Sequence, residues 1–179
     1  MFRYHPDPVA TGSVEPSEAA CLVCSRARGF IYTAHVLSEP SIDSAVCPWC
    51  IADGSAHARF GATFADEEFV GGRDWSSVPP EVAHEVATRT PSFTPWQSIL
   101  WFACCNDAAA FLGCAGHAEI ITHYPGLEPS LRHDMQMVGR EHDTEWSEYF
   151  ESLSKDGSPT AYVFRCLHCG ALGGYSDCH

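Results

Sequence analysis

The chain has 179 residues, enough to bury a real core in one domain, or in one domain with a metal module. Hydrophobic residues make up 45% and charged ones only 18%, which excludes a disordered chain. Acidic residues outnumber basic ones 23 to 10, and Lys155 is the single lysine. The net charge of −13 therefore disfavours generic nucleic-acid binding and favours a basic partner.

No charged stretch followed by an apolar run opens the chain, and no apolar run reaches about 18 residues. The expectation is a soluble, cytoplasmic protein without membrane contact. In that reducing compartment the ten cysteines point to metal rather than disulfides.

From Phe2 onward the chain is punctuated by prolines. Pro6 and Pro8 push His5 and Asp7 towards extended backbone, and these two read as surface or packing residues rather than ligands. The first chemical signal follows in CLVC and CPWC, whose cysteine pairs are separated by 22 residues. A two-residue spacer lets one turn present two sulfurs to one ion, and two such pairs close a tetrahedral site with no open position. Cys21, Cys24, Cys47 and Cys50 are thus candidate ligands of one structural zinc. Between the pairs, Phe30 to Leu37 reads as a strand, with a turn at Glu39 to Ser41. Pro48 suits a first helical turn, where its missing N–H needs no partner, and Gly54 weakens that helix. Knuckle, hairpin and a cysteine pair at a helix start predict a treble-clef-like zinc module over residues 17–61.

Residues 62–157 are expected to form a mainly helical middle. An acidic patch at Asp66, Glu67 and Glu68 and a Gly71-Gly72 turn precede a helix from Glu81 to Arg89. Pro79-Pro80 open it, Val82 and Val86 share one face, and His84 faces solvent. WQSILWFACC reads as a buried strand, and Asn106 or Asp107 as the cap of a helix AAAFLGCAG. Trp96, Trp101, Phe102 and Phe111 are core candidates. Pro125 and Pro129 break the helical patches of Ala118 to Arg140. His117, His123, His133 and His142 lack the i, i+4 spacing of a helical metal pair and read as surface. Trp146, Tyr149, Phe150 and Leu153 recur at helical spacing, and Gly157 closes that segment.

Residues 158–179 read as a knuckle hairpin in which AYVFR and LGGYSD flank Cys166 and Cys169. That pair needs two more ligands. Adjacent cysteines diverge on extended backbone, so one of Cys104 and Cys105 is expected to complete a second zinc site. Three readings compete: a metal-free pair, a pair that swaps into the first site, and a nucleophilic Cys105 activated at a helix start. No phosphate loop, H-E-x-x-H motif or serine elbow appears, so no catalytic residue is assigned and no enzyme activity is expected. The predicted fold class is α+β, a treble-clef-like zinc module joined to a mixed α/β core with a C-terminal zinc-knuckle hairpin.

FRYHPDPVATG, CPWCIADGSA, CCNDAAAFLG and KDGSPTAYVFRCLHCG together resemble the CbrC family, a bacterial family associated with colicin tolerance. The likeness runs from Phe2 to Asp177 and implies one CbrC-like domain over residues 1–179. It also implies that the pairs matching Cys21/Cys24, Cys47/Cys50 and Cys166/Cys169 recur. Where that family tends to carry a histidine before the cysteine of the CND segment, this chain has Cys104, an exchange that preserves a ligand. The resemblance implies immunity to, or tolerance of, a nuclease-type toxin. Such toxins are basic, and the acidic surface suits them. The expected function is a zinc-stabilised interaction protein that binds a basic partner such as a toxin nuclease. The alternatives are a nucleic-acid- or transcription-associated zinc protein, and a zinc or thiol enzyme.

Overall fold

The computed structural model describes residues 2–39, 41–72, 75–137 and 143–178, with the backbone alone at 143–145. Pro40 of the expected turn, His142 and His179 lie outside the described residues. In chain order the elements begin with β1 (Val14–Ala20), β2 (Ala27–Tyr32), α1 (Pro48–Ala52) and α2 (Ser55–Phe60). A 3₁₀ turn (Glu67–Phe69) and α3 (Pro80–Arg89) follow, then β3 (Ala103–Cys104), β4 (Asp107–Ala108) and β5 (Ala110–Ala115). Three helices, α4 (His117–His123), α5 (Glu128–Met137) and α6 (Asp143–Ser152), lead to β6 (Thr160–Arg165) and β7 (Leu172–Asp177).

The N-terminal part is organised by an antiparallel β1–β2 hairpin. Pro48 occupies the start of α1, as its missing N–H allows, and Gly54 in a left-handed conformation separates α1 from α2. The first cysteine knuckle lies inside the β1–β2 hairpin, whereas the treble-clef reading placed the hairpin after it. Val14, Ile31, Tyr32, Val46, Ile51 and Phe64 form a core around the four N-terminal cysteines.

The C-terminal part is a three-stranded antiparallel sheet in the order β5-β6-β7. Side chains alternate across a strand, so β6 serves two cores. Tyr162 and Phe164 enter an aromatic cluster with Phe93, Trp101, Phe111 and Tyr175, in which the Phe93 and Phe111 rings stack at 4.0 Å. Ala161 and Val163 point the other way, among Ile120, Leu131, Trp146 and Phe150 of the three helices. Gly173 in β7 makes room for the aromatic layer: a Cβ there would stand 2.1 Å from the Phe102 ring.

Two expectations are corrected. WQSILWFACC is not a strand, apart from its last residues in β3 and a single bridge between Val70 and Trp101. Three of its backbone donors are taken by side chains of the sheet, while Trp101 N–H donates to Phe69 O at 3.0 Å. Trp96 N–H donates to Tyr162 Oη at 3.0 Å, Gln97 N–H to Asp177 Oδ2 at 3.0 Å, and Leu100 N–H to Tyr175 Oη at 3.3 Å. Leu100, Trp101 and Ala103 are buried as expected, but Trp96, a core candidate by sequence, is 41% exposed, so an apolar run reports neither the pairing nor the burial of its ends.

AAAFLGCAG is the second correction, being mostly strand β5 rather than a helix. Alanine has the highest helix propensity, but propensity is worth under about 1 kcal/mol per residue, and pairing with β6 overrides it. The proposed cap is also absent. Cys105 and Asn106 have φ of 55° and 60° and form the two-residue turn between β3 and β4. Residues 62–157 therefore contain β3, β4 and β5 as well as helices, and β5 supplies an edge of the sheet.

Candidate metal centres

Cys21 and Cys24 sit in the loop between β1 and β2. Cys21 N–H donates to Arg26 O at 2.9 Å, Ser25 N–H donates to Cys21 O at 2.7 Å, and Ser25 takes a left-handed φ of 57°. Cys47 stands at the N-cap of α1, and Cys50 follows one turn into the helix. The Cys21–Cys50 and Cys24–Cys47 sulfurs are each 3.9 Å apart, and Cys47 N–H donates to Cys21 Sγ at 3.3 Å. Arg59 on α2 clamps the knuckle by donating to Val23 O at 2.6 Å. Cys21, Cys47 and Cys50 are buried and Cys24 is half-buried.

Cys166 and Cys169 repeat that turn in the loop between β6 and β7. Cys166 N–H donates to Ala171 O at 2.9 Å, Gly170 N–H donates to Cys166 O at 3.1 Å, and Gly170 is left-handed at φ 75°. Facing them is the β3–β4 hairpin. A two-residue turn with both central residues at positive φ follows the right-handed twist of its strands. This turn also corrects the expectation that only one of the adjacent cysteines joins the site. Divergence holds for extended backbone, and Cys105 is not extended. The Cys104 and Cys105 sulfurs lie 3.7 Å apart, and Cys104 Sγ lies 3.7 Å from Cys169 Sγ. Cys105 and Cys169 are exposed, Cys104 is half-buried and Cys166 is buried.

Each set brings four sulfurs within 4.8 Å of one another. Thiolates placed about 2.3 Å from a tetrahedral ion are roughly 3.8 Å apart, so the sulfur separations fit an ion at the centre of each set. They do not fit disulfides, which need about 2.05 Å, and all ten cysteines are free. The electrostatics agree. Burial opposes ionisation of Cys21, but the backbone donors of Cys47, Cys24 and Val23 bring it down to about 7. The same contest, won by the N–H groups of Cys169 and His168, brings Cys166 to about 6. Burial and neighbouring thiols push Cys50 and Cys104 far up. Four adjacent thiolates cannot all ionise without a cation among them, and a cation is what the geometry admits.

Beside the second set lies a polar network that the sequence reading missed. Asp107, its side chain only 7% exposed, accepts from Arg3 Nη2 at 2.6 Å, from Tyr4 Oη at 2.9 Å and from its neighbour's Ala108 N–H at 2.9 Å. His168 Nε2 lies 2.7 Å from the same carboxylate. The only sequence hints were a histidine between two cysteines and an aspartate two residues after Cys105, and neither spacing is specific. The nucleophile reading of Cys105 loses its basis, because no helix starts there.

Other candidates resolve differently. His5 is fully buried, with Nδ1–H donating to Pro91 O and Nε2 facing Thr11 Oγ1, both at 2.7 Å, so it packs rather than ligates. His84 is bonded to Glu67 at 2.8 Å, and His117 packs edge-on against Phe150. His123 and His133 are exposed. Cys114, pushed up to about 11 by burial, lines a cleft of about 370 Å³ with Asp7, Thr11, Tyr124 and Lys155. No tetrad cysteine lines that cleft.

Fold and site together define a small mixed α/β protein with two four-cysteine sets able to hold metal. The chain belongs to the family described as Uncharacterised protein family (UPF0167), whose model matches residues 1–178. It is 44% identical over 177 residues to UPF0167 protein Mb2317 of Mycobacterium bovis, covering 99% of this chain and 92% of that protein. UPF0167 protein MT2352 of Mycobacterium tuberculosis matches to the same extent. UPF0167 protein PA1536 of Pseudomonas aeruginosa is 39% identical over 170 residues, 94% of this chain and 91% of that protein. No solved structure matches. Among the described residues, no helix is long and apolar enough to cross a membrane.

Proposed function

We propose that this chain is a zinc-stabilised binding protein, without catalysis of its own, that recognises a basic protein surface through an acidic face. The supporting observation is the surface at the 3₁₀ turn. Asp66, Glu67 and Glu68 are exposed there, and Phe69 beside them is 43% exposed, in a chain of net charge −13. An exposed aromatic among carboxylates joins an apolar anchor to electrostatic steering. Glu148 and Glu151 on α6 add to the acidic surface, while the side chains of Asp143, Thr144 and Glu145 lie outside the described residues. Tetrahedral four-thiolate sets suit zinc, and a closed set leaves no position for a reacting water. Reduced thiols suit the cytoplasm.

The CbrC resemblance supplies the partner class, a nuclease-type toxin whose phosphate-binding surface is basic. Nucleic acid itself is disfavoured by the sign of the charge. The test is growth of cells carrying the gene under challenge by a panel of DNase-type toxins, paired with pull-down of each toxin domain at low and high salt. Protection, together with association that slows steeply as salt rises, is the expected result. Phe69→Ala should weaken capture while leaving the metal content unchanged. Unchanged killing with no capture across the panel removes this reading.

A further inference from the structure

The two cysteine sets offer an ion the same four donors and differ in what solvent can reach. In the first, three cysteines are buried and the fourth is half-buried. In the second, Cys105 stands at the tip of a hairpin whose strands are two residues each, and Cys169 lies in the loop opposite. Both are exposed, with sulfurs within 4.8 Å of each other. A thiolate must be reached before it can be oxidised.

We propose that the second set, once loaded with metal, is an oxidation site at which hydrogen peroxide joins Cys105 to Cys169 and expels the ion, while the first set keeps its own. This rests on the reading that both sets hold zinc. The Cys105 thiolate attacks the O–O bond, becomes a sulfenic acid and releases one hydroxide. The Cys169 thiolate then attacks that sulfur, and the second hydroxide leaves as the S–S bond forms. The two thiolates lose two electrons, peroxide gains them, and two protons from solvent turn both hydroxides into water. Cys104 and Cys166 alone cannot keep a tetrahedral ion, so it departs. The approach needed is small, from within 4.8 Å to the roughly 2 Å of a disulfide, and it falls on a two-residue turn. The charge of −13 repels anionic oxidants and is indifferent to neutral peroxide.

The experiment starts from the purified chain, with zinc per chain measured by mass spectrometry of the elements. Two equivalents are expected, and fewer would fail the zinc reading before any oxidant is added. Peroxide is then added, released zinc is followed with a chromogenic chelator, and cysteines are mapped by differential alkylation. One equivalent should leave, with Cys105 and Cys169 linked at least about tenfold faster than any cysteine of the first set is lost. Reductant with added zinc should restore the starting state. A variant carrying Cys114→Ser and Cys178→Ser leaves both sets whole and should release zinc at the same rate. Retention of both ions, loss of both together, a linkage between other cysteines, or a release that this variant abolishes would each overturn the proposal.

Discussion

Cys21–Cys24 and Cys166–Cys169 are built on one turn, with the same pair of backbone hydrogen bonds and a left-handed residue just after the second cysteine. Their surroundings set them apart. The first knuckle is completed by a helix start and enclosed by Val14, Ile31, Val46 and Ile51. The second is completed by a bare hairpin turn and is supported from one side by the Asp107 network. A cysteine spacing thus specifies a ligand turn, while the burial of its ligands depends on what else packs there. In the first region the cysteine set and the core coincide. In the second the core lies in the sheet and the site hangs at its edge.

Removing one ligand from each set separates the two regions most strongly. Structural zinc contributes about 10–16 kcal/mol in small domains at pH 7, comparable to or larger than a whole domain's stability of about 5–15 kcal/mol. Cys47→Ser should therefore unfold residues 14–64, seen as lost hydrogen-exchange protection in β1 and β2. Cys169→Ser should lose one zinc yet keep protection in β6, whose core is aromatic. Equal unfolding by both variants would erase the distinction.

A smaller effect is expected from acid acting on the segment that joins the regions. Phe2 packs on the first core and Tyr4 lies in the second, with His5 buried beside it. Burial lowers His5 to about 4, against an ordinary value of 6.5, although its bond to Pro91 favours the charged form. A depressed folded value means that the neutral ring's contribution is complete above pH 6.5. It is then lost as pH falls towards 4, on the order of 3 kcal/mol in all. His5→Gln, which takes up no proton, should flatten the fall in urea midpoint between pH 7 and pH 4.5. An unchanged slope would place the acid sensitivity elsewhere.

The smallest change concerns the second site's support. Asp107→Ala leaves the buried Tyr4 hydroxyl without its partner, at a cost of about 2 kcal/mol. The melting temperature should fall by roughly 4–8 °C. Zinc should also leave the second set faster, with the first unaffected, as read by chelator competition. Equal acceleration at both sites would show that the network serves the whole fold.

Local chemistry made much of this chain legible from its sequence. The Cys-x-x-Cys spacings, Pro48 and Pro80 at helix starts, and the apolar positions of α6 each report on a turn or a face, within a few residues of themselves. AYVFR and LGGYSD were readable as a hairpin because their two strands are joined by one short loop. Tertiary structure alone decided the rest. Trp96 to Leu100 lost their strand because tyrosine and aspartate side chains far along the chain took their donors. AAAFLGCAG became a strand because β6 offered a ladder stronger than alanine's preference for helix. Cys105 joined Cys104 in one set because a turn at positive φ reversed the divergence of neighbouring side chains. Spacing could name six thiols of the two sets, but the pairing of Cys104 with Cys105 and the exposure of all eight depend on residues that meet only when the chain is folded.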